Sequence, residues 1–554
     1  MKIPAAFQPK LFTVLREGYT RNQLIQDFTA GLIVAAVAIP LAIAFGIASG
    51  VTPEKGLITA IIAGFIGSAL GGSRVQISGP TGAFVVVIFG VVSKFGIAGL
   101  TIATVVAGAL VVIMGLVKLG GVIKFVPAPV ITGFTSGIAV IILSTQIKDF
   151  LGLHMESVPS EFVEKWAAYL HSISSINVYA AAIATLTCFI VIIGPKLAPK
   201  VPSPLIALLL TTALVQLAHL NVETIGSKFG LISGSLPAPV VPDLTYAAIK
   251  ELIPSIITIA ILIAVESLLS AVVADGMLGT KHRSNMELVA QGTANIFSGL
   301  FGGIPATGAI ARTATNIKSG GRSPVAGIVH ALVILLVLVA LGSYASMIPM
   351  ATLAGLLVVV AYNMSEWRTF RSMLKAPKSD VVILLTTFLL TVLVDLTVAI
   401  EFGMILAAFL FMHRMAAVTN VTQITNEFRD DTEPDALFSV PLPLNVQLYE
   451  INGPFFFGAA EKFSETIRQT GKYPKVLIVR MRNVPAIDAT GIHVLQDLCK
   501  KLTAKGATLI ITELHSQPKQ ACASAGLLAK IGPANVTETL NQALVRSNEL
   551  SATS

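Results

Sequence analysis

The sequence predicts an all-α polytopic membrane protein with 14 segments in a seven-plus-seven inverted repeat, followed by a small α/β domain. Three observations support this prediction. The 554 residues are 54% hydrophobic and only 12% charged, and soluble domains average roughly 25% charged residues. Apolar segments follow one another almost without interruption from residue 28 to residue 417. Beyond that region, short apolar strands alternate with helical patterns, which is typical of an α/β domain.

The first 27 residues form a polar, basic leader that contains Lys2, Lys10, Arg16 and Arg21. Because positively charged segments stay on the cytoplasmic side of a membrane, we interpret residues 1–27 as a cytoplasmic leader. No secretory signal precedes the first apolar run, so we expect that run to remain as the first span. We expect a multi-pass protein of the cell inner (plasma) membrane. Because the number of spans is even, both termini then lie in the cytoplasm.

Residues 28–417 form the predicted transmembrane transport domain. Several of its segments are shorter than the ~20 residues that a complete span needs. The predicted segments are 28–48, 56–71, 79–93, 98–119, 126–146, 177–194, 203–219, 251–275, 286–301, 306–317, 323–346, 348–362, 379–396 and 398–416.

The third and tenth segments have related sequences. One neighbourhood is GSALGGSRVQISGPTGAF and the other is SGLFGGIPATGAI, each with Gly-Gly, then a proline, then Thr-Gly-Ala. Thr81 and Thr307 lie 226 residues apart, which predicts an internal duplication. With seven segments in each half, the second copy enters the membrane in the opposite orientation. Short segments interrupted by Gly and Pro at matching places in inverted halves indicate a transporter's binding site.

Both segments would start a helix part-way through the bilayer, near Pro80 and Pro305. A helix N-terminus has unpaired N–H groups and an effective charge of about +0.5, so two such ends can bind an anion. The alternative is that the prolines only kink helices and the threonines only cap them. The predicted anion-binding residues in the two segments are Ser78, Thr81, Gly82, Thr307 and Gly308.

Two ionisable residues lie within apolar segments, where charge is costly and usually functional. Arg312 follows the start of the tenth segment, and its alternatives are a snorkelling residue or a structural salt bridge. Glu266 lies deep in the eighth segment, where a carboxylate could carry a proton; its alternative is an ion pair that stabilises the fold. Ser270 lies one turn further along the same helix face.

The chain beyond residue 417 is predicted to be a linker at 418–436 and a soluble domain with its tail at 437–554. At this length the domain can bury a core of its own. Predicted strands lie at 446–451, 476–481 and 507–512, and predicted helices near 459–469, 490–504 and 517–529.

Enzyme chemistry is not predicted, because the sequence contains no nucleophile elbow, phosphate-binding loop or HExxH motif. Cys188, Cys499 and Cys522 have neither disulfide nor metal spacing. We therefore predict no cofactor and no metal, and no pattern of basic and aromatic residues suggests nucleic acid. The predicted partners at this point are a small anion, protons and the lipid bilayer.

Nearly the whole chain resembles the sulfate permease (SulP) family of anion transporters. The motifs that carry the resemblance are AIPLAIAFGIASGV, GGSRVQISGPTGAF, ESLLSAVVADG and HRSNMELVAQGTANIFSGLFGG, together with VPAIDATGIHVL at 484–495, which is similar to the central motif of STAS domains. The resemblance implies a seven-plus-seven inverted repeat, a mobile core domain, a static gate domain and a homodimer.

The resemblance also assigns site residues. It implies an anion site between the third and tenth segments, with Phe45, Thr81, Ala311 and Arg312 in contact with the anion. A serine often precedes the arginine in this family, and Ala311 replaces it here. The cation-coupling carboxylate falls on Glu266, with Ser270 at the nearby polar position.

Two branches of the family bear on the coupling ion and the substrate. The sodium-coupled bicarbonate branch typically has aspartate in place of Glu266 and lacks the arginine, so the resemblance favours proton coupling. The IKDFLGL and GTKH stretches are most similar to the bacterial DauA-type dicarboxylate branch.

The STAS-like region contains a candidate regulatory residue. In related regulators the motif carries a phosphorylated serine, and Thr490 occupies that position here. The alternative is a helix-start residue at a surface that binds a cytosolic partner.

These observations predict a secondary active, proton-coupled transporter of a small anion. Two helix ends of about +0.5 each plus Arg312 give about +2, which matches a divalent anion. Sulfate is ranked first, a C4-dicarboxylate such as succinate second and bicarbonate third. An anion channel or electromotile protein, and a membrane sensor that binds anion without flux, are the alternative classes.

Overall fold

The computed structural model describes residues 4–121, 126–155, 158–159, 161–198, 201–394, 396–424, 442–443, 445–469 and 474–552. The chain divides after Ala407 into two compact units. Among the described residues, nine helices are long and apolar enough to cross a membrane. This finding agrees with the predicted polytopic membrane protein.

The first unit is almost entirely helical. Its longer helices are α2 (Arg21–Ala48), α3 (Pro53–Leu70), α4 (Gly82–Leu116), α5 (Ala128–Leu151), α7 (Val178–Leu197), α8 (Ser203–Leu217), α10 (Tyr246–Leu278), α11 (Ser284–Leu300), α12 (Ile310–Lys318), α13 (Val325–Ala345), α14 (Met350–Met364) and α16 (Lys378–Leu393). The last helix, α17 (Leu396–Val418), begins in this unit and ends in the second. Short helices that were not predicted are α1 (Lys10–Gly18), α6 (Phe162–His171), α9 (Ile225–Phe229) and α15 (Trp367–Met373).

Each of the 14 predicted segments has a helical counterpart. The third and fourth segments both lie in α4, which is interrupted at Gly96. Gly96 has φ +67° and ψ −171°, a conformation that glycine adopts without a steric penalty. The chain therefore changes direction between two helical pieces, as the sequence predicted.

Helix packing shows the internal two-fold relation of the two halves. The contact between α2 and α13 corresponds to the contact between α10 and α4. Likewise, the contact between α3 and α13 corresponds to that between α11 and α4. In the same way, α5 packs on α16 as α14 packs on α7. Each contact joins the two halves and has a counterpart with the halves exchanged, which is the arrangement expected of an inverted repeat.

The packing also separates two groups of helices. One group contains α2, α3, α4 and α10–α13, and the other contains α5, α7, α8, α14 and α16. In the first group α4 and α11 come close together at a pair of glycines. A Cβ on Gly108 would lie 2.7 Å from the carbonyl oxygen of Gly292, and a Cβ on Gly292 would lie 2.5 Å from that of Gly108. Small residues at such a crossing let two helix backbones touch.

The second unit contains the predicted small α/β domain. Its strands are β3 (Asn420–Ile424), β4 (Val446–Asn452), β5 (Val476–Asn483), β6 (Thr508–Thr512) and β7 (Val536–Thr537). They form one sheet in the order β3-β4-β5-β6-β7, with β3 antiparallel and the others parallel. The helices are α18 (Phe457–Gln469), α19 (Ala489–Thr503), α20 (Ser516–Ser524), α21 (Leu527–Ile531) and α22 (Leu540–Ala552).

The sheet of this domain is buried on both faces. Helices α18–α21 share one apolar cluster with Tyr449, Val479 and Ile511. α22 covers the other face, where Leu540 and Leu544 pack against a second cluster from β4, β5 and β6. The continuous apolar runs of β4, β5 and β6 therefore pack against helices on both faces of the sheet, as in other parallel sheets.

Two sequence predictions need correction in this domain. The predicted linker at 418–436 begins with the end of α17 and then β3, which pairs with β4 from Asn420 to Ile424. The rest of the predicted linker, from residue 425 on, lies outside the described residues. β7 and α22 were not predicted, although α22 closes one face of the core.

Candidate functional site

The two related segments meet at a pair of very short strands. β1 (Ser78–Gly79) pairs antiparallel with β2 (Thr307–Gly308), with Ser78 opposite Gly308 and Gly79 opposite Thr307. β1 leads into α4, which begins at Gly82, and β2 leads into α12, which begins at Ile310. The pairing therefore brings together the two helix starts that were predicted to bind an anion.

Neither helix start has a capping side chain. Thr81 and Ala309 occupy the N-cap positions of α4 and α12, and neither of these side chains caps its helix with a hydrogen bond. Apart from the N–H of Phe84, which donates to the Thr81 carbonyl oxygen, the N–H groups of these first turns remain available to a ligand. The two matching threonines differ in position, because Thr81 directly precedes its helix while Thr307 lies three residues before α12.

Arg312 lies in the first turn of α12 and is only 3% exposed. Its guanidinium lies against the backbone of Gly79, where a Cβ would be 2.6 Å from Nη1. Nη2 donates a hydrogen bond to the carbonyl oxygen of Pro80. Nη1 is buried and forms no hydrogen bond with any residue that the structure describes. A buried charged donor without a partner costs free energy, so this atom is a candidate contact for an anion.

Glu266 reaches the same place from α10. The Thr81 hydroxyl donates a 2.9 Å hydrogen bond to Oε2 of Glu266, and both residues are half-buried. Arg312 attracts the Glu266 carboxylate electrostatically, without a direct ion pair between them. The predicted anion-binding and proton-coupling residues therefore lie beside each other.

Other hydrogen bonds from α10 hold the two strands in position. The Ser267 hydroxyl lies 2.7 Å from the Thr307 hydroxyl and accepts a 3.2 Å bond from the N–H of Gly308. Ser270 donates to the Thr313 hydroxyl at 3.3 Å, and Thr313 accepts from the N–H of Ile77. Sequence reasoning missed Ser267 and Thr313, since isolated hydroxyl residues are common in apolar helices.

A second buried network approaches β1 from α11. Gln291 donates to the Ser78 hydroxyl at 2.6 Å and to Glu287 at 2.9 Å. Oε2 of Glu287 accepts hydrogen bonds from the backbone N–H groups of Gly72 and Ser73. Sequence reasoning missed this network, whose only local signal is a carboxylate and an amide one turn apart in MELVAQ.

The remaining predicted site residues have different surroundings. The side chains of Ser78 and Thr307 are fully buried and bonded within the protein, so they position the strands. Ala311 is exposed, and Phe45 is buried in α2, which contacts both α4 and α12. A Cβ on Gly82 would meet Met364 of α14 and Ile142 of α5. The start of α4 thus lies where the two groups of helices meet.

The candidate regulatory residue Thr490 lies in the other unit. It is exposed in the first turn of α19, after the N-cap residue Asp488. The Asp488 carboxylate accepts hydrogen bonds from the N–H groups of Gly491 and Phe457. This geometry leaves the Thr490 hydroxyl accessible at a helix N-terminus, where a negative charge is favourable.

Comparison with known proteins agrees with this architecture. A sequence model of the sulfate permease family matches residues 24–387, and one of the STAS domain matches residues 439–543. The Bacillus subtilis protein named "Putative sulfate transporter YvdB" is 44% identical over 518 residues, covering 93% of this chain and 96% of that protein. The bicarbonate transporter BicA of Picosynechococcus sp. is 32% identical over 533 residues, with 94% of each chain covered.

A solved structure shows the same fold. The overall structure of SLC26A9 superposes with a TM-score of 0.87 at 18% sequence identity, covering 98% of this chain and 93% of that chain. At this identity the likeness concerns the fold alone.

Proposed function

The chain belongs to the sulfate permease family, and we propose that it is a proton-coupled secondary active transporter of a small anion, sulfate first. The observation on which this proposal rests is the buried Arg312 guanidinium, with Nη1 unpaired, beside two uncapped helix starts. Two helix ends of about +0.5 each plus the guanidinium give about +2. A divalent oxyanion would balance that charge and supply acceptors for Nη1 and the first-turn N–H groups.

Proton coupling is proposed for Glu266. Its carboxylate lies beside Arg312 and is hydrogen-bonded to Thr81. A proton on this carboxylate would remove one negative charge from the site at the time when an anion binds. Coupling of this kind needs no further ion, and the Glu266–Arg312 combination differs from the sodium-coupled branch that the sequence resemblance describes.

Sulfate is ranked ahead of a C4-dicarboxylate and bicarbonate. The support is the match to the sulfate permease family and the 44% identity to YvdB. The relation to BicA, at 32% identity, keeps bicarbonate as a candidate. The likeness to the DauA-type branch stays a prediction and keeps succinate as the second candidate. An anion channel or a membrane sensor is the alternative class.

We also propose that the protein works in the inner membrane as a homodimer with both termini in the cytoplasm. The STAS domain would then meet a cytosolic partner at the surface that includes Thr490. The place where α4 meets α5 and α14 supports a core group of helices that moves against a gate group.

Uptake by proteoliposomes tests the proposed function. Labelled sulfate, succinate and bicarbonate are offered separately, with and without an inward proton gradient. We expect uphill accumulation of sulfate that depends on the gradient. The Glu266→Gln variant should still bind sulfate and should lose gradient-driven accumulation. Flux that only follows the anion's own gradient would favour a channel, and binding without flux would favour a sensor.

A further inference from the structure

One hydroxyl hydrogen connects the carboxylate to the helix start. Thr81 precedes the uncapped first turn of α4, and its side chain donates to Glu266 rather than to that turn. A threonine hydroxyl has a single hydrogen to donate. An ionised carboxylate only accepts, so it holds this hydrogen. A protonated carboxyl can itself donate to the Thr81 oxygen, which frees the Thr81 hydrogen for another acceptor.

We propose that Thr81 is the switch that links proton binding to anion binding in this site. When Glu266 takes a proton from solvent, the Thr81 hydroxyl rotates about its Cβ–Oγ1 bond and donates to the anion at the start of α4. No covalent bond of Thr81 is broken, and the proton stays on Glu266. The inference rests on the proposed function and deepens it, because it names the residue that makes anion affinity depend on protonation.

The position of Thr81 suits this role. It is half-buried, at the start of a helix whose first N–H groups are available, and next to Gly82 at the boundary between the two helix groups. An anion held by the first turn of α4 would lie within reach of the N-cap side chain, which is where N-cap hydroxyls usually meet their partners. The hydroxyl can therefore serve the carboxylate or the anion, but not both.

Charged groups on the surrounding helices can also affect the charge state of Glu266. The helices packed against α10 are α4, α11 and α12. Their ionisable residues are Lys94, Glu287, Arg312 and Lys318, and those of α10 itself besides Glu266 are Tyr246, Lys250, Glu251 and Asp275. Among these, Arg312 acts electrostatically on Glu266. Arg312 attracts a negative charge on Glu266 whether or not the hydroxyl is present, so a test must separate the two contributions.

A double-mutant cycle makes that separation. Sulfate binding to the full-length purified protein is measured calorimetrically for wild type, Thr81→Val, Glu266→Gln and the double variant, at several pH values. Succinate replaces sulfate if the uptake assay selects it. Glutamine mimics the protonated carboxyl and can donate to the Thr81 oxygen. Thr81→Val should change affinity little where Glu266 is ionised, because the hydroxyl is then occupied. In the Glu266→Gln background, Thr81→Val should weaken sulfate binding roughly 10-fold or more, which is the affinity lost with one hydrogen bond to a charged acceptor.

The number of protons taken up on anion binding is an independent test of the switch. Titrations in buffers of different ionisation enthalpy report how many protons bind with the anion. We expect uptake with wild type, less with Thr81→Val, and recovery with Thr81→Ser, which keeps the hydroxyl. A variant that only disturbed folding would not be rescued selectively in this way.

Two results would overturn the switch. One is an equal loss of affinity from Thr81→Val in both backgrounds, which would mean that the hydroxyl contacts the anion regardless of Glu266. The other is no loss in either background, with wild-type proton uptake retained. In both cases pH-dependent binding by wild type would leave proton coupling intact. Binding by wild type that is independent of pH would instead contradict the proposed function itself.

Discussion

At the residue scale, the site depends on a guanidinium whose hydrogen-bonding capacity is only partly used. Arg312 is buried, bonds to Pro80 through Nη2 and leaves Nη1 without a partner. Burying a charge is tolerated when a partner compensates it. Glu266 supplies electrostatic attraction but no direct ion pair. A bound oxyanion is the partner that would complete this set.

Replacement of Arg312 should therefore affect anions according to their charge. Arg312→Ala removes one charge-assisted contact, worth about 1.5–3 kcal/mol or roughly 10- to 150-fold in affinity. We expect sulfate to lose more affinity than a monovalent anion, because the two helix ends alone supply only about +1. Lysine should restore part of the loss, since it keeps the charge but not the planar fork.

Arg322→Ala is the matched control for that measurement. The Arg322 guanidinium donates to the carbonyl oxygens of Ile317 and Gly321, beyond the far end of α12. Calorimetry on both purified variants should show a loss for Arg312→Ala alone. Sulfate affinity that is the same in Arg312→Ala and wild type would mean that the helix ends bind the anion without this side chain.

The sequence predicted a role in the site for Arg312 and Glu266 but not for the polar residues that hold the site together. Arg312 and Glu266 stand out because charge is rare in apolar segments. Ser267, Thr313 and Gln291 do not stand out, since polar residues of this kind often bond within their own helix. Their role depends on the pairing of β1 with β2, which joins residues more than 200 positions apart and leaves no local pattern.

At the element scale, close helix approach depends on glycine. At Gly108 of α4 and Gly292 of α11, the backbone of the other helix occupies the position that a side chain would take. The sequence contains 45 glycines, but composition alone does not assign any of them to a particular helix crossing. Gly90 of the same helix shows the contrast, because a Cβ there would have no atom within 4 Å.

These two positions give a matched pair of variants. Gly108→Ala should destabilise the protein by about 1–3 kcal/mol, the usual cost of overpacking, because its new methyl group would meet backbone atoms of α11. Gly90→Ala should be neutral or slightly stabilising, since alanine favours helix. Thermal unfolding in one detergent compares them. Equal midpoints for the two variants would argue against the close crossing of α4 and α11.

Element boundaries were least predictable in the soluble domain. β4, β5 and β6 were predicted because each is a continuous apolar run, which a strand buried on both faces requires. β3 was hidden in a polar segment, since it is an edge strand with partly exposed side chains. β7 has only two residues, too few for a periodic pattern.

At the scale of the whole molecule, the soluble domain should fold alone if the fragment includes the edge strand β3 and the last helix α22. A fragment of residues 419–552 contains β3 and α22, while one of residues 437–552 lacks β3. We expect both to be structured and the shorter one to unfold at a lower temperature, by ~4–8 °C for each kcal/mol lost. Circular dichroism on heating measures both. An unstructured longer fragment would mean that this domain requires the membrane unit.

The order of the spans predicts which surfaces face the cytoplasm. A single cysteine near residue 10 or at Lys281 should resist impermeant thiol reagents in intact cells, since Lys10 and Lys281 are hydrogen-bonded neighbours. Val163→Cys, on exposed α6, should react from outside. Among native cysteines, Cys522 is buried, and burial raises the pKa of its thiol to about 11, which keeps it unreactive. The reverse labelling pattern would invert the topology.

Proton movement during anion entry tests the central claim most directly. Proteoliposomes that enclose a pH-sensitive dye receive an inward sulfate gradient with no initial pH difference. We predict that wild type acidifies the interior as sulfate enters, while Glu266→Gln, which should still bind sulfate, does not. Sulfate entry through wild type with no change in internal pH would contradict proton-coupled transport through this site.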